Sequence, residues 1–302
     1  MTNYICLDIG GTAVKYGITT EKGRFIFKNW EPNQAAGQGR DAFLAKLARL
    51  IEAAKNRYDV QGVAVATAGV VNPETGIILF ASDNIPGYSG TRLKEYLTGE
   101  SNLPVEIEND VNAVALGEYW QGAGRGARSL FCLAVGTGIG GGLILYGQLV
   151  HGASFSAGEA GYMKIAGERS WEEVASTKAL VQEVARAKGL TWAPEGRHVF
   201  QWARDGDREA REAIERLVAN LSRGIAAICY VVNPEVVILG GGIMEQVDYL
   251  RPLFARALSR ELLPAVYEKT RLDFARLGND AGMTGALYNL LRRQSGRPAK
   301  GV

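Results

Sequence analysis

Three carboxylates in this chain stand where a carboxylate could do chemistry. Asp8 interrupts the apolar run Ile5-Cys6-Leu7-Asp8-Ile9 just before Gly10-Gly11-Thr12. An acid at a strand end beside such a turn can hold a metal-bound water or orient a phosphate; the plainer reading is that it caps its own turn. Asp110 closes Glu108-Asn109-Asp110, where a strand gives way to a helix. Strand ends in open α/β sheets are where ligands bind, and an acid there can take a proton from a substrate hydroxyl. Asp is also among the best N-caps, which is the competing reading. Glu159, in Ala157-Gly158-Glu159-Ala160-Gly161, is presented on a loop by glycines and suits hydrogen bonding to a polyol, or is simply a solvated loop charge.

The glycines around these acids form a pattern that occurs twice. Ile5-Cys6-Leu7-Asp8-Ile9-Gly10-Gly11-Thr12 returns as Phe131-Cys132-Leu133-Ala134-Val135-Gly136-Thr137-Gly138. Each apolar run stops at a Gly-rich turn and is followed by another, at residues 13–18 and 142–146. Short runs rich in Ile, Val and Leu and bounded by glycine read as buried strands, so a strand–turn–strand hairpin is expected in each half. Exposed N–H groups in such turns form a concave anion site, and two facing turns would grip a polyphosphate from both sides. Asp8 has Ala134 as its counterpart, so the hairpin itself does not require a carboxylate. Gly136-Thr137-Gly138-Ile139-Gly140-Gly141 contains the dinucleotide fingerprint, but that fingerprint needs a helix after its glycines. The residues that follow read as strand, and there is no Walker lysine loop. Gly240-Gly241-Gly242 ends the buried run Val236-Val237-Ile238-Leu239. It is either a plain strand-to-helix turn or a place where a flat ligand, such as an adenine ring, lies against the backbone.

The elements that must carry these groups follow from periodicity. Apolar spacing predicts helices over 39–58, 90–97, 111–121 and 171–188. A longer helix carries Ile214, Leu217, Leu221, Ile225 and Ile228 and stops at Asn233-Pro234; a last one runs over 282–293. The 302 residues are enough for two domains, and 47% are apolar. A net charge of +2 with mixed signs offers no basic stripe for nucleic acid and no polybasic membrane patch. No apolar run approaches the ~20 residues that span a bilayer. The chain begins a strand within four residues, and neither a signal peptide nor a DNA-binding module is expected ahead of it. Cys6, Cys132 and Cys229 lie far apart in apolar segments and read as buried hydrophobes in a reducing compartment, so a cytoplasmic protein is expected. His151 and His198 lack metal-ligand spacing and read as surface or packing residues. Trp30, Trp120, Trp192 and Trp202 read as core or interface aromatics.

Taken in order, Asp8-Ile9-Gly10-Gly11-Thr12, Glu108-Asn109-Asp110, Gly136-Thr137-Gly138-Ile139-Gly140-Gly141-Gly142, Gly158-Glu159-Ala160-Gly161 and Leu239-Gly240-Gly241-Gly242 resemble the ROK family of the actin-like ATPase superfamily. The resemblance covers the chain from Tyr4 to about Leu291. It implies an α/β fold of two actin-like (ribonuclease H-like) domains around an interdomain cleft: a smaller one of residues 1–109 plus 281–302 and a larger one of 110–280. It implies an ATP-dependent sugar kinase that phosphorylates the 6-hydroxyl of a hexose, glucokinase-like, with N-acetylmannosamine kinase or β-glucoside kinase as alternatives. By position, Asp110 would be the catalytic base. Asn84, Asn109, Glu159, Tyr162 and Glu172 would face the sugar. Gly10, Gly11, Thr12, Gly136, Thr137 and Gly138 would surround the phosphates, with Gly240 and Gly241 near adenosine. Asp8 would act on Mg2+ through water, with Lys15 in the same group. Many members carry a zinc-binding histidine where Tyr162 stands, and a cysteine cluster just downstream that Gly167-Glu168-Arg169-Ser170-Trp171 lacks. No zinc is therefore expected. Tyr162 is similar to some β-glucoside kinases, while Ala175-Ser176-Thr177 and Gly278-Asn279-Asp280-Ala281-Gly282 are similar to some N-acetylmannosamine kinases. The family resemblance suggests a homodimer. The alternative from another class, a non-catalytic sugar sensor, could dispense with Asp110 and the phosphate turns, all of which are present.

Overall fold

The apolar run that opens the chain becomes β1 (Asn3–Ile9), which turns through Gly10-Gly11-Thr12 into β2 (Ala13–Thr20) and on into β3 (Phe25–Pro32). The computed structural model describes residues 2–82 and 85–296. After β3 come α1 (Ala35–Lys55), β4 (Val60–Thr67), α2 (Leu93–Ser101), β5 (Val105–Asn109) and α3 (Asp110–Gln121). The sheet order is β3-β2-β1-β4-β5, with β4 and β5 parallel to their neighbours. Alternation along β1 sends Ile5, Leu7 and Ile9 to one face, where they bury against Phe43, Leu47 and Ile51 of α1 and Leu93 and Leu97 of α2. Cys6 faces the other way and packs with Ala64, Ala113 and the closing helix (Ala281–Gln294). The period of two puts Asp8 on that second face. Small residues bring the closing helix close to α3: a Cβ on Gly285 would lie 1.6 Å from the Ala113 carbonyl oxygen.

In the second half, β6 (Leu130–Val135) and β7 (Ile139–Leu145) repeat the antiparallel hairpin. The helices α4 (Trp171–Ala175), α5 (Thr177–Ala187), α6 (Gly196–Arg204) and α7 (Arg208–Val232) follow. Then come β8 (Val236–Gly240), α8 (Val247–Glu261) and β9 (Arg271–Phe274). Strands β6, β8 and β9 are parallel, in the order β7-β6-β8-β9. Ile214, Leu217, Leu221, Ile225 and Ile228 all lie in the core of this half. Helix α7 ends on Asn233 in the left-handed region, with Pro234 next.

Two compact units result. One gathers the described residues up to Arg125, from Tyr146 to Ser156 and from Asn279 onward; the other holds Gly126–Leu145 and Ala157–Gly278. The segment 110–125, which the family resemblance puts in the larger domain, groups with the first unit. It does so because α3 runs along the closing helix.

The single helix expected over 171–188 is two helices. Ser176 is extended (φ −80°, ψ 165°) and its Oγ accepts the Ala179 N–H at 3.1 Å, starting a new helix at Thr177. The helix expected at 90–97 starts at Leu93. All three cysteines are buried and none is in a disulfide. Trp30 and Trp192 are exposed rather than core residues. Among the described residues no helix is long and apolar enough to cross a membrane.

Candidate active site

In the first unit the β1–β2 turn is closed by the Gly10 N–H donating to the Ala13 carbonyl at 3.0 Å. Asp8 does not cap this turn. Its Oδ2 accepts from Lys15 Nζ across the hairpin at 3.2 Å. The first turn of the closing helix lies against the same carboxylate, so a Cβ on Gly282 would sit 3.1 Å from its Cγ. Burial pushes the Asp8 carboxyl above its ordinary pKa, and the Lys15 ammonium only partly opposes this. Gly11 and Thr12 are exposed.

At the β5–α3 junction the N-cap is Asn109, not Asp110. Asn109 Oδ1 accepts the Asn112 N–H at 2.9 Å. Asp110 is thereby freed from capping and occupies the first helical position. Its Oδ1 accepts the Val111 N–H at 2.9 Å and Asn109 Nδ2 at 3.0 Å. Asn109 Nδ2 also donates to the Gly69 carbonyl at 3.0 Å. Behind them lies Glu108, fully buried, taking the Asn109 N–H at 2.9 Å, Asn112 Nδ2 at 3.2 Å and His151 Nε2 at 2.9 Å. His151 is thus part of the support for this junction, not an isolated surface or packing residue. Its link to Glu108 spans 43 positions, which no local spacing could reveal; the only sequence sign was Glu108 itself, an acid within a strand.

In the second unit the Gly136 N–H donates to the Gly138 carbonyl at 2.9 Å. This turn is one residue shorter than the first, since Val135 pairs with Ile139 whereas Ile9 pairs with Val14. Gly136 and Thr137 line a cavity of about 750 Å³ together with Thr177, Val181, Pro194, Ile243 and Gln246. Lys178, Glu195 and Arg197 add charge to its wall. Of the triplet Gly240-Gly241-Gly242, it is Gly242 that reaches this cavity. Gly240 ends the buried strand. Gly241 turns the chain at φ 104°, where a Cβ would meet the Val135 carbonyl oxygen at 2.1 Å. An apolar, partly polar cavity beside exposed turn amides suits a base with a phosphate chain.

Glu172 stands at the start of α4, near Gly138. Its Oε2 accepts the Ile139 N–H in a long bond of 3.4 Å. Glu159 precedes the short turn Ala160–Tyr162. Its surroundings desolvate the carboxyl and the Glu172 charge repels it, so its pKa is held above the ordinary value. Solvent reaches the residue, which keeps that push modest. Tyr162 is exposed. Asn84 lies outside the described residues.

The first unit therefore brings together Asp8, Gly10, Gly11, Thr12 and Lys15 at one turn, and Asn109 with Asp110 at one junction. The second brings Gly136 and Thr137 to a cavity and Glu159 near Glu172. The cavity wall of Val181, Pro194, Glu195, Arg197 and Gln246 was not read from the sequence. Those residues come from α5, α6 and two loops, and none forms a motif. Among the described residues no group of three or more His, Cys, Asp or Glu could hold a metal ion.

Comparison with known proteins is consistent across the chain. The family model described as "ROK family" matches residues 4–293. An uncharacterized protein of Clostridium perfringens is 44% identical over 287 residues, covering 95% of this chain and 97% of that one. A β-glucoside kinase of Listeria monocytogenes is 33% identical over 301 residues, covering 95% and 97%. Among solved structures, a ROK family glucokinase of Streptomyces griseus in complex with glucose and AMPPNP superposes with a TM-score of 0.81 at 29% identity, covering 97% of this chain and 99% of that one.

Proposed function

Since this chain belongs to the ROK family, we propose that it is an ATP-dependent sugar kinase that transfers the γ-phosphate to the 6-hydroxyl of a hexose. The observation that carries the reading is Asp110. One oxygen of its carboxylate is held by two donors at a strand-to-helix junction, which fixes the direction of a would-be base. Asp110 takes the proton as the sugar oxygen attacks the γ-phosphorus, and ADP leaves with the bridging oxygen. Phosphoryl transfer needs little covalent help from protein; positioning and charge neutralisation do most of it. The Gly10–Thr12 and Gly136–Gly138 turns offer N–H groups to the phosphates, and the cavity beside Gly242 takes the nucleoside. Asn109, Glu159 and Glu172 supply hydroxyl partners for the sugar.

Mg2+ is bound to proteins through one or two carboxylates and keeps several waters. A single acid at the phosphate turn fits that requirement, and Asp8 is that acid. The ion would supply neutralisation of phosphate charge. Asp8 would orient its water shell, while Lys15 holds the carboxylate in place.

Release of ADP, followed by a coupled assay across glucose, N-acetylmannosamine and β-glucosides, tests the proposal. Sugar-dependent release with at least one hexose is expected. No release above the sugar-free rate with any of them would leave the sensor reading standing. Tyr162 favours a second reading within the same chemistry. It is the residue at which this chain is similar to some β-glucoside kinases, and a named β-glucoside kinase is 33% identical. A larger kcat/KM for a β-glucoside than for glucose would select it.

A further inference from the structure

The two hairpin turns share a feature outside the hairpins themselves. In each, the carbonyl of the first turn glycine is taken by a residue that comes from elsewhere in its own unit. Asn33 Nδ2 donates to the Gly10 carbonyl at 2.6 Å, and the Asn33 N–H donates to the Thr12 carbonyl at 2.9 Å. The Thr177 N–H donates to the Gly136 carbonyl at 2.8 Å. Gly10 and Gly136 occupy the same position in the repeat.

In a trans peptide the carbonyl of one residue and the N–H of the next lie in one plane and point in opposite directions. Holding the Gly10 carbonyl therefore aims the Gly11 N–H away from Asn33, and holding the Gly136 carbonyl aims the Thr137 N–H away from Thr177. Peptides next to glycine are the ones most free to rotate, because glycine tolerates both signs of φ. Rotation at either turn would present a carbonyl oxygen where a phosphate needs a donor. Asn33 is buried at 2% exposure, and its Oδ1 is occupied by the Ala35 N–H at 3.1 Å. It is fixed at every polar atom except its own carbonyl. Thr177 is fixed because Ser176 ends α4 and caps α5, which leaves Thr177 as the first residue of α5 with its N–H outside the helix ladder.

We propose that Asn33 and Thr177 are positioning residues for nucleotide binding: each clamps the carbonyl of a turn glycine so that the next amide stays a phosphate donor. This rests on the kinase reading above. Neither residue needs to touch the nucleotide for the effect.

Two substitutions separate the clamps from general structure. Asn33→Asp keeps an acceptor for the Ala35 N–H but sets a carboxylate oxygen against the Gly10 carbonyl in place of a donor. Thr177→Pro removes the clamping N–H at a helix N1 position, where proline is well tolerated, after a residue already extended as proline requires. Thr177→Ala keeps the N–H and loses the hydroxyl, which donates to the Val135 carbonyl at 3.4 Å, so it measures what the side chain contributes apart from the clamp. Calorimetry would measure binding of AMPPNP with Mg2+ and, separately, of the preferred sugar. The parent chain must bind AMPPNP; if it does not, the kinase reading fails before the clamps are reached. Given that binding, Asn33→Asp and Thr177→Pro are each expected to weaken AMPPNP by roughly five- to tenfold, the equivalent of one lost hydrogen bond. Sugar affinity should stay at the parent value, and Thr177→Ala, which trims the cavity wall but keeps the clamping N–H, should weaken AMPPNP less than Thr177→Pro does. Parent-like AMPPNP affinity in folded Thr177→Pro overturns the proposal, and that variant serves even where Asn33→Asp fails to fold. Equal weakening of sugar and nucleotide also overturns it, since that is what a merely structural role would produce.

Discussion

Asp110→Asn isolates proton transfer from everything else this residue does. The Asp110 Oδ1 accepts from the Val111 N–H at 2.9 Å and from Asn109 Nδ2 at 3.0 Å. An asparagine can place its amide oxygen at the same point and accept both. The side chain therefore keeps its direction, and Asn109 keeps its cap on α3 through Asn112. What the variant loses in stability is small: a negative charge in the first turn of a helix contributes about 0.3–1 kcal/mol. What it loses in chemistry is large. General base catalysis contributes about 10²–10⁴-fold, or about 2.7–5.4 kcal/mol of barrier. The expected result is a kcat lower by about 10²–10⁴-fold, a sugar Kd at the parent value and a melting temperature close to the parent's. The assays are coupled ADP release at saturating ATP and sugar, sugar calorimetry and thermal denaturation. Turnover within about tenfold of the parent, in a variant that still binds sugar, would refute the assignment of Asp110 as base.

Asp8→Asn should abolish Mg2+-dependent turnover yet stabilise the fold at pH 8. Burial raises the folded pKa of Asp8. Between the unfolded and folded values the folded chain holds a proton that the unfolded chain has released, so stability falls as pH rises through that window. The advantage of the asparagine variant should shrink as pH is lowered toward the ordinary carboxylate range; thermal melts across pH would show the reverse trend if Asp8 were stabilising. His151→Ala leaves fully buried Glu108 short of one of its three donors. A stability loss of about 1–3 kcal/mol is expected in denaturant titration; no loss would mean that the contact is incidental. Gly241→Ala forces a Cβ onto the Val135 carbonyl at a positive φ and should cost at least about 1–3 kcal/mol, whereas Gly242→Ala, at a position with open space, should fold normally.

The glycine triplet at the end of β8 shows why some of the site could be read in advance and some could not. A buried strand running into glycines marks a place where the backbone does something unusual. The marking does not say which glycine faces a ligand. Gly241 meets a steric need set by Val135, over a hundred residues away in sequence, and Gly242 is the one that lines the cavity. The break at Ser176 is similar. Ser-Thr inside an apolar period is a cap written in the sequence, yet only the helix that results puts the Thr177 N–H on Gly136.

By itself the sequence determined the duplicated hairpins, the α/β class and the family, because strand period, glycine punctuation and motif order are local properties of the chain. It also singled out Asp8, Asn109 and Asp110 by residue type and place. The structure decided that Asn109 rather than Asp110 caps α3, and only the tertiary structure decided that His151 stands behind Glu108 and that Asn33 and Thr177 hold the turn carbonyls. The pairings of Asn33, Thr177 and His151 join residues 23 to 43 positions apart. Hydrogen bonds at such separations depend on how sheets and helices pack, and no local pattern of residues encodes them.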